Sequence, residues 1–292
     1  MTSGITKQRI VRNAPVAAAD FTSHFLQARG LLLHYLDYGT AGHTPMLCVH
    51  GGGAHAHWFD FVARGFIADY HVRSLDLRGH GDSAWMEDGD YSAELFAQDI
   101  AEVAERLDLR GFVLIGHSMG GMIALVYAAT RPARLGKLVV VDSAMRVTPE
   151  RMATLRNIGA RGGRAYATRE ELIARYRLLP AGTAAARETI RHVAYHSGQQ
   201  GHDGQWRHKF DRNVYTTRRA MDGYAQLERV QVPALIVKGA LSDRYTTEIE
   251  VEIKRRCPHV EIAEVRDSYH HVTIDNPTGF IDAVQRFLRT SG

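Results

Sequence analysis

Cysteine is scarce in this chain of 292 residues, which contains only two. Cys48 lies in an apolar stretch, Cys257 lies near the end of a predicted helix, and neither belongs to a C-x-x-C pair. A disulfide framework is therefore not expected. Cys48 is expected to pack as a small buried hydrophobic residue.

Long hydrophobic runs are also missing. No apolar stretch approaches the roughly 20 residues that a helix needs to span a bilayer. Residues 1–20 lack the hydrophobic segment of a signal peptide, because the candidate run Ala14–Ala19 is short and contains a proline. These absences predict a cytoplasmic protein that has no membrane partner.

Dense blocks of one charge do not occur either. The chain has 36 Lys and Arg against 32 Asp and Glu, a net charge of +4, and the two signs are interspersed. A basic run with interleaved aromatic residues, as nucleic-acid binding would require, is absent. With 45% hydrophobic and 23% charged residues, the composition is that of an ordinary globular protein. A small-molecule substrate is the expected partner.

The most informative stretch runs from Gly116 to Gly121 and contains the pattern G-x-S-x-G. An apolar strand-like run, Gly111–Ile115, precedes it, and an apolar helical run, Met122–Ala129, follows it. A serine on a sharp turn between a strand and a helix exposes its hydroxyl, and flanking glycines remove side chains that would clash. Ser118 is therefore the predicted nucleophile.

A glycine-rich turn, His50–Gly53, follows the strand-like run Met46–Val49. The backbone N–H groups of glycines can approach a developing negative charge closely. The predicted oxyanion hole combines the N–H of Gly52, with Gly53 as its nearest rival, and the N–H of Met119, the residue after the nucleophile.

Two adjacent histidines, His270 and His271, lie between the strand-like run Val260–Val265 and a helix start at Asn276 and Pro277. A histidine can accept a proton near neutral pH because its unperturbed pKa is about 6.5. The residues alone do not decide which of the two is the general base.

Two aspartates are candidates for the acid that orients this base. Asp142 follows the strand-like run Leu138–Val141, and Asp243 follows the run Ala234–Lys238 and a short turn. Either carboxylate could hold the imidazole in the required tautomer and stabilise the imidazolium. Both give the chain order Ser, Asp, His, so the order leaves the choice open.

Strand-like runs alternate with helical runs along most of the chain, which is typical of a largely parallel sheet with right-handed crossovers. The first two strands, joined only by Arg29 and Gly30, are expected to form an antiparallel hairpin. The predicted strands are Phe21–Ala28, Leu31–Tyr38, Met46–Val49, Val72–Asp76, Phe112–Gly116, Leu138–Asp142, Ala234–Lys238 and Val260–Val265, and the predicted helices between them are Trp58–Ile67, Ser92–Leu107, Met119–Thr130, Thr247–Arg256 and Thr278–Thr290.

This alternation stops between residues 145 and 230. The segment is rich in Arg, Ala, Gly and His, and its predicted helices are Pro149–Ile158, Arg169–Leu178, Thr183–Ser197 and Thr216–Gln226. We predict a core made of residues 1–144 and 231–292, with residues 145–230 inserted as a helical cap over the active site.

Taken together, these motifs resemble those of the α/β-hydrolase superfamily, and the resemblance extends over nearly the whole chain. The turn Asp76–Ser83 matches a structural turn that the superfamily places beside the nucleophile. The resemblance implies the α/β-hydrolase fold: an eight-stranded, mostly parallel sheet with helices on both faces and an inserted helical cap. It places the acid after the penultimate strand, which favours Asp243, and the histidine seven residues before Pro277, which selects His270.

The resemblance implies a serine hydrolase that cleaves a carboxylic ester or lactone through Ser118, His270 and Asp243, without a cofactor. One alternative is a C–C bond hydrolase of ring-cleavage products, although that group typically has tryptophan where this chain has His271. Another is a non-catalytic ligand receptor of the same fold. Haloalkane dehalogenases and epoxide hydrolases are disfavoured, since their elbows carry aspartate at the position of Ser118.

Other histidines carry weaker signals. His192 and His196 have the i,i+4 spacing of a metal-binding pair, but residue 193 is valine and no third ligand is apparent in the sequence. No metal is therefore expected. His50, His55 and His57 are expected to line the mouth of the pocket.

Overall fold

The computed structural model describes residues 13–86 and 89–290. The expectation that residues 1–20 contain no signal peptide falls largely outside these ranges, as do the outermost residues of the predicted core. No helix within these ranges is both long enough and apolar enough to cross a membrane.

A mixed β-sheet forms the centre of the fold. The strands of the described chain are, in order, β1 (Thr22–Ala28), β2 (Leu31–Asp37), β3 (Thr44–Val49), β4 (Tyr70–Leu75), β5 (Phe112–His117), β6 (Leu135–Val141), β7 (Arg146–Val147), β8 (Gly198–Gln200), β9 (Trp206–His208), β10 (Met221–Asp222), β11 (Ala234–Gly239) and β12 (Glu261–Val265). Eight of them make one sheet in the order β1-β2-β4-β3-β5-β6-β11-β12. The β1–β2 hairpin and the β2–β4 pair are antiparallel, and the other pairs in this sheet are parallel. The predicted fold class and hairpin are confirmed.

Helices cover both faces of this sheet. The described helices are α1 (Asp60–Ala63), α2 (Ala93–Arg106), α3 (Met119–Ala129), α4 (Pro149–Ala160), α5 (Arg169–Arg175), α6 (Arg187–His196), α7 (Asn213–Thr216), α8 (Gly223–Leu227), α9 (Thr247–Arg256), α10 (Val272–Asp275) and α11 (Pro277–Thr290). Apolar side chains of α2, α3 and α9 belong to one hydrophobic cluster, and those of α1, α10 and α11 belong to another.

The alternation of side chains along the strands explains these two clusters. In β3, Leu47 and Val49 belong to the first cluster, whereas Met46 and Cys48 belong to the second. A parallel strand covered on both faces needs apolar residues at every position, which is why such strands appear in the sequence as continuous hydrophobic runs. Cys48 is a buried free thiol, as predicted.

Helix α3 is apolar on all sides and each of its residues is buried. It contacts β5, β6, α2 and α8, so no side of it faces solvent. A helix in such surroundings has no need of the polar stripe that marks a surface helix. Its first turn is thereby held firmly behind Ser118.

Between β6 and β11 the chain leaves the sheet and forms α4 to α8 with four short strands among the described residues. Strand β7 pairs with β10, which joins the first and last parts of this insertion. The predicted helix Thr216–Gln226 is wrong: α7 ends at its start, and α8 begins only after Asp222. The Asp222 side chain accepts hydrogen bonds from the N–H groups of Tyr224 and Ala225, so a new helix starts there.

The predicted helix Trp58–Ile67 is also shorter than expected. The chain forms a 3-10 helix, Ala56–Phe59, followed by the single turn of α1. A Cβ atom on Gly65 would lie 2.6 Å from side-chain atoms of Ile281 on α11. A larger residue at position 65 would therefore require the Ile281 side chain to move.

Candidate active site

Ser118 stands on the turn between β5 and α3, with φ 53° and ψ −113°. An L residue rarely adopts this conformation, and such strain is typical of functional sites. The surrounding backbone is packed tightly enough to maintain it. A Cβ atom on Gly116 would lie 2.4 Å from the carbonyl oxygen of Gly120, and one on Gly120 would lie 2.5 Å from that of Val49.

The end of β6 braces this turn from the side. The N–H of Ser118 donates to the carbonyl oxygen of Val141 (2.8 Å), and the Ser143 hydroxyl donates to the carbonyl oxygen of Ser118 (2.8 Å). A Cβ atom on Gly121 would lie 1.9 Å from the Ser143 hydroxyl oxygen, so a glycine is needed there too. The elbow is thus fixed by both neighbouring elements.

His270 lies in the loop after β12 and is in contact with the nucleophile. Its Nε2 atom is 2.9 Å from the Ser118 hydroxyl oxygen, and the residue is 5% exposed. The Nε2–H of His117 donates to the His270 carbonyl oxygen (2.9 Å), which positions the loop. His271 points elsewhere and donates from Nε2 to the carbonyl oxygen of Pro180 (2.7 Å). Of the two histidines, the structure therefore brings only His270 to Ser118.

The carboxylate beside His270 is that of Asp142. Its Oδ2 atom is 2.7 Å from His270 Nδ1, and its side chain is fully buried. The Gly239 N–H and the Ser242 hydroxyl donate to the same carboxylate at 3.1 and 2.7 Å. Donors from the turn after β11 thus hold an acid that comes from the end of β6.

The prediction that Asp243 orients the histidine disagrees with this geometry. The Asp243 side chain is 88% exposed and lies 3.5 Å from Nε of Arg244. Strands β6 and β11 are neighbours, so both aspartates lie near the same edge of the sheet, but only Asp142 points inward. The residues alone leave Asp142 and Asp243 equally possible as the acid, and the family resemblance favours Asp243.

Burial sets the protonation of this pair. It lowers the pKa of His270 well below its ordinary value, and the adjacent His271 and the positive charges of Arg244 and Arg151 lower it further. Burial also raises the pKa of Asp142 to about 6, against the opposing effect of its hydrogen bonds from Ser242 and Gly239. At neutral pH His270 is therefore uncharged, with its Nδ1–H facing Asp142 and Nε2 available to accept a proton.

The two predicted oxyanion donors line the same cavity as Ser118 and His270. Among the described residues, neither the N–H of Gly52 nor that of Met119 has an acceptor within the protein. A Cβ atom on Gly52 would lie 3.2 Å from the Tyr215 ring, and the rival Gly53 has φ +72° beside the Tyr215 hydroxyl. Because the N–H groups of Gly52 and Met119 have no acceptor within the described protein, they are free to bind an oxygen of a ligand.

The turn Asp76–Ser83 has a structural role beside this site. The Asp76 carboxylate is 2.7 Å from Nδ1 of His34 and accepts from the N–H groups of Ala56 and Asp82 at 2.6 and 2.9 Å. These hydrogen bonds connect β2, the 3-10 helix and the turn. Burial would raise the pKa of Asp76, but the neighbouring His34 holds it well below its usual range.

A cavity of about 570 Å³ opens in front of Ser118. Core residues such as Met119 and His270 form one side of it, and residues of the insertion such as Leu155 and Tyr215 form the other. Its volume is that of a typical small-molecule site.

The other histidines singled out in the sequence lie away from this cavity. His55 and His57 are buried, and neither lines the cavity, so the expectation that they form its mouth is wrong. The Nε2–H of His55 donates to the carbonyl oxygen of Val193 on α6 (2.8 Å). His50, also buried, donates from Nδ1 to the carbonyl oxygen of Gly51 (2.8 Å). These rings therefore support the glycine-rich turn and the insertion.

His192 and His196 do have neighbours with metal-binding atoms. Their ring nitrogens, those of His57 and an Asp60 carboxylate oxygen lie within 4.8 Å of one another. The Asp60 carboxylate, however, already accepts from the Tyr38 hydroxyl at 2.6 Å and lies 2.9 Å from His57 Nδ1 and 2.6 Å from His192 Nε2. These contacts show that Asp60, His57, His192 and Tyr38 form a polar network, which connects α6 to the core.

We expect Asp60→Asn to lower the free energy of unfolding by about 3 kcal/mol at pH 7, because the two histidines contact Oδ2 and the Tyr38 hydroxyl donates to Oδ1, and an amide has an acceptor on only one of these two sides. Burial raises the pKa of Asp60, but the hydrogen bonds from His192, His57 and Tyr38 outweigh it and leave the pKa lowered. The stabilisation should therefore be complete above about pH 4 and be lost as the pH falls through the lower folded pKa.

Urea unfolding from pH 3 to 7 would measure this effect, with Asp69→Asn, at an exposed position, as the control. A variant as stable as the wild type at pH 7 would show that the network does not hold the insertion to the core.

Comparison with known proteins assigns the chain to a family. A model of the Alpha/beta hydrolase family matches residues 46–283. The chain is 30% identical over 258 residues to Esterase Rv0045c of Mycobacterium tuberculosis, with 85% of this chain and 84% of that protein covered. It is 25% identical over 272 residues to (E)-2-((N-methylformamido)methylene)succinate hydrolase of Acinetobacter baylyi, covering 88% and 94%. The crystal structure of E-2-(acetamidomethylene)succinate hydrolase superposes with a TM-score of 0.81 at 22% identity, covering 92% of this chain and all of that one. The chain thus belongs to the alpha/beta hydrolase family and is a hydrolase.

Proposed function

We propose that this hydrolase cleaves a carboxylic ester or lactone of a small organic substrate through an acyl-enzyme. The observation that carries the proposal is the continuous set of hydrogen bonds from Asp142 through His270 to the hydroxyl of Ser118. This set ends at a cavity of small-molecule size that two unpaired backbone amides also face. A nucleophile, a base, an orienting acid and an electrophilic site are all required for acyl transfer.

In the first half-reaction, the Ser118 oxygen attacks the substrate carbonyl carbon while its proton moves to Nε2 of His270. The carbonyl oxygen becomes negatively charged and accepts hydrogen bonds from the N–H groups of Gly52 and Met119. Asp142 stabilises the imidazolium. His270 then donates the proton to the leaving alkoxide, so that an alcohol departs and Ser118 remains acylated.

In the second half-reaction, water takes the place of the alcohol. His270 removes a proton from the water as its oxygen attacks the acyl carbon, and the same two amides stabilise the second oxyanion. The bond to Ser118 then breaks, and His270 returns the proton to the serine oxygen. The products are a carboxylic acid and the restored enzyme.

We further propose that residues 145–230 act as a cap. Leu155, Ile158 and Tyr215 of this segment line the cavity opposite Ser118, which supports a role in excluding water and shaping the substrate site. The β7–β10 pair joins the first part of this segment to its last part. The contact between His192 on α6 and the Asp60 carboxylate joins the segment to the core.

A C–C bond hydrolase and a ligand receptor are the alternative functions. The relative of Acinetobacter baylyi is named a hydrolase of a substituted succinate and that of Mycobacterium tuberculosis an esterase, so similar chains in this family carry names for different hydrolytic reactions. We favour the ester because an alkoxide leaves more readily than an amine or a carbanion.

The proposal is tested by mixing the enzyme with a p-nitrophenyl ester in a stopped-flow instrument. We expect a burst of p-nitrophenol that is stoichiometric with the enzyme, followed by slower turnover. Intact-mass analysis of acid-quenched samples should detect one acyl group per chain, and peptide mapping should assign it to Ser118.

Ser118→Ala is the matched variant and should show neither burst nor adduct, because it lacks only the attacking oxygen. Undiminished turnover by this variant would contradict the mechanism. A wild-type protein that binds substrates without forming an acyl group would favour the receptor.

A further inference from the structure

Four arginines line the cavity in front of Ser118. Arg146 lies on β7 and already has two partners: the Tyr224 ring, whose centre is 5.3 Å from the guanidinium carbon, and the Asp222 carboxylate, 4.0 Å away. The other three come from separate segments: Arg151 lies on α4, Arg218 lies in the loop between α7 and β10, and Arg244 follows β11. The fold thus brings three cationic groups together at one small site.

These three guanidinium groups lack good partners within the described protein. The side chains of Arg151 and Arg218 make no hydrogen bond or close ion pair with another described side chain, and Asp243 favours the charge of Arg151 only from a greater distance. The Nε atom of Arg244 is buried without a hydrogen bond, and its nearest carboxylate, at 3.5 Å, is the 88% exposed Asp243. By contrast, the buried Arg78 makes a bidentate contact with Asp99. The three cavity arginines have no partner of this kind.

Bringing these charges together is unfavourable in the absence of an anion. Burial, Arg151 and Arg244 lower the pKa of Arg218 to about 10, although Tyr215 opposes the change. Burial and the charge of Arg244 likewise lower the pKa of Arg151, against the opposing effects of Tyr215 and Asp243. Asp243 is the one acid among the described residues that line the cavity, so the positive charges outnumber the negative ones there. A site with these properties favours an anionic ligand.

We propose that Arg151, Arg218 and Arg244 bind a carboxylate group of the substrate, so that the enzyme hydrolyses an ester or lactone that carries a second, ionised carboxyl group. The planar fork of a guanidinium group matches the two oxygens of a carboxylate. This inference rests on the proposed hydrolase function, which it narrows to acidic substrates.

The location of the cluster fits a short substrate. Arg151 and Arg244 lie close enough to His270 for their charges to act on its ring. The carboxylate would therefore be held in the same cavity as the carbonyl carbon that Ser118 attacks. A substrate of this kind is anchored at one end and presents its ester to the nucleophile at the other.

Two esters with the same six-carbon acyl chain test the proposal: 4-nitrophenyl hydrogen adipate, which ends in a carboxylate, and 4-nitrophenyl hexanoate, which does not. After subtraction of the uncatalysed rates, we expect the wild type to favour the adipate ester in kcat/KM by about tenfold or more. Arg218→Gln and Arg151→Gln should each lower kcat/KM for the adipate ester by about 10- to 100-fold, chiefly through KM. In the same variants, kcat/KM for the hexanoate ester should change by less than about threefold.

Arg289→Gln removes the same charge at an exposed position of α11 outside the cavity and should leave both values unchanged. Arg151 is itself exposed, so Arg151→Gln should fold even if Arg218→Gln does not. Equal wild-type kcat/KM values for the two esters would overturn the proposal, as would equal losses for both esters in the two cavity variants.

Binding of adipate to Ser118→Ala, measured by calorimetry, separates this inference from the proposed function. We expect saturable binding that Arg218→Gln weakens and that inorganic phosphate displaces poorly. Displacement by phosphate as readily as by adipate would contradict a carboxylate site. If the wild type hydrolysed neither ester while Ser118→Ala bound adipate, the ester-hydrolase function would fail and the anion site would stand.

Discussion

Asp142→Asn is expected to reduce kcat by about four orders of magnitude without loss of the fold. The carboxylate that lies 2.7 Å from His270 Nδ1 would become an amide, which carries no charge to stabilise the imidazolium. The amide could also donate to Nδ1 and so hold the ring in the wrong tautomer. Steady-state kinetics with a p-nitrophenyl ester would measure the loss, and thermal unfolding would verify that the variant is folded.

Asp243→Asn is the matched control, since it makes the same change on the neighbouring strand end. We expect its kcat within about threefold of the wild-type value, because the 88% exposed Asp243 side chain contacts Arg244 and not His270. If Asp243→Asn were the inactive variant and Asp142→Asn the active one, the acid would be the residue that the family resemblance selects.

His270→Ala is expected to abolish acylation, with a loss in kcat of roughly 10⁵- to 10⁶-fold. Its Nε2 atom is the one ring nitrogen of the described residues placed to take the Ser118 proton, at 2.9 Å. Combining it with Ser118→Ala should cause little further loss, because residues that act as a unit are not additive. Single-turnover kinetics of the two single variants and the double variant would measure this.

The adjacent His271→Ala tests the register of the loop. The His271 ring donates to the carbonyl oxygen of Pro180 and does not reach the nucleophile. Its loss should therefore raise KM by about tenfold or less, as expected for one lost peripheral contact. An inactive His271→Ala combined with an active His270→Ala would move the general base by one residue.

The nucleophile turn and the parallel strands could be predicted because each depends on residues that are close together in the sequence. The strained backbone at Ser118 needs small neighbours within a few residues, so the elbow appears as a short glycine pattern. Burial on both faces gives the parallel strands continuous apolar runs, so the strands could be recognised one at a time. Their ends shift by a few residues, as for the predicted Leu138–Asp142 and the observed Leu135–Val141, because strand pairing determines where each strand begins.

Features that depend on distant contacts could not be predicted in this way. Asp142 and Asp243 follow neighbouring strands, and their different environments arise from donors about a hundred residues away from Asp142, namely Gly239 and Ser242. The convergence of Arg151, Arg218 and Arg244 depends equally on the folded path of the insertion. Arg218 falls within a predicted helix, whereas in the structure the loop before β10 carries it to the cavity.

Because Asp142 lies at the end of β6, the residues at the end of β11 and in the turn after it have two different roles. Gly239 and Ser242 donate to the Asp142 carboxylate, and a Cβ atom on Gly239 would lie 2.2 Å from the carbonyl oxygen of Tyr269, so neither position tolerates change easily. Asp243, directly after them, lines the cavity with a side chain that is 88% exposed. Substrate preference can therefore evolve at the Asp243 codon without disturbing proton transfer, a freedom that an enzyme with its acid at that position would not have.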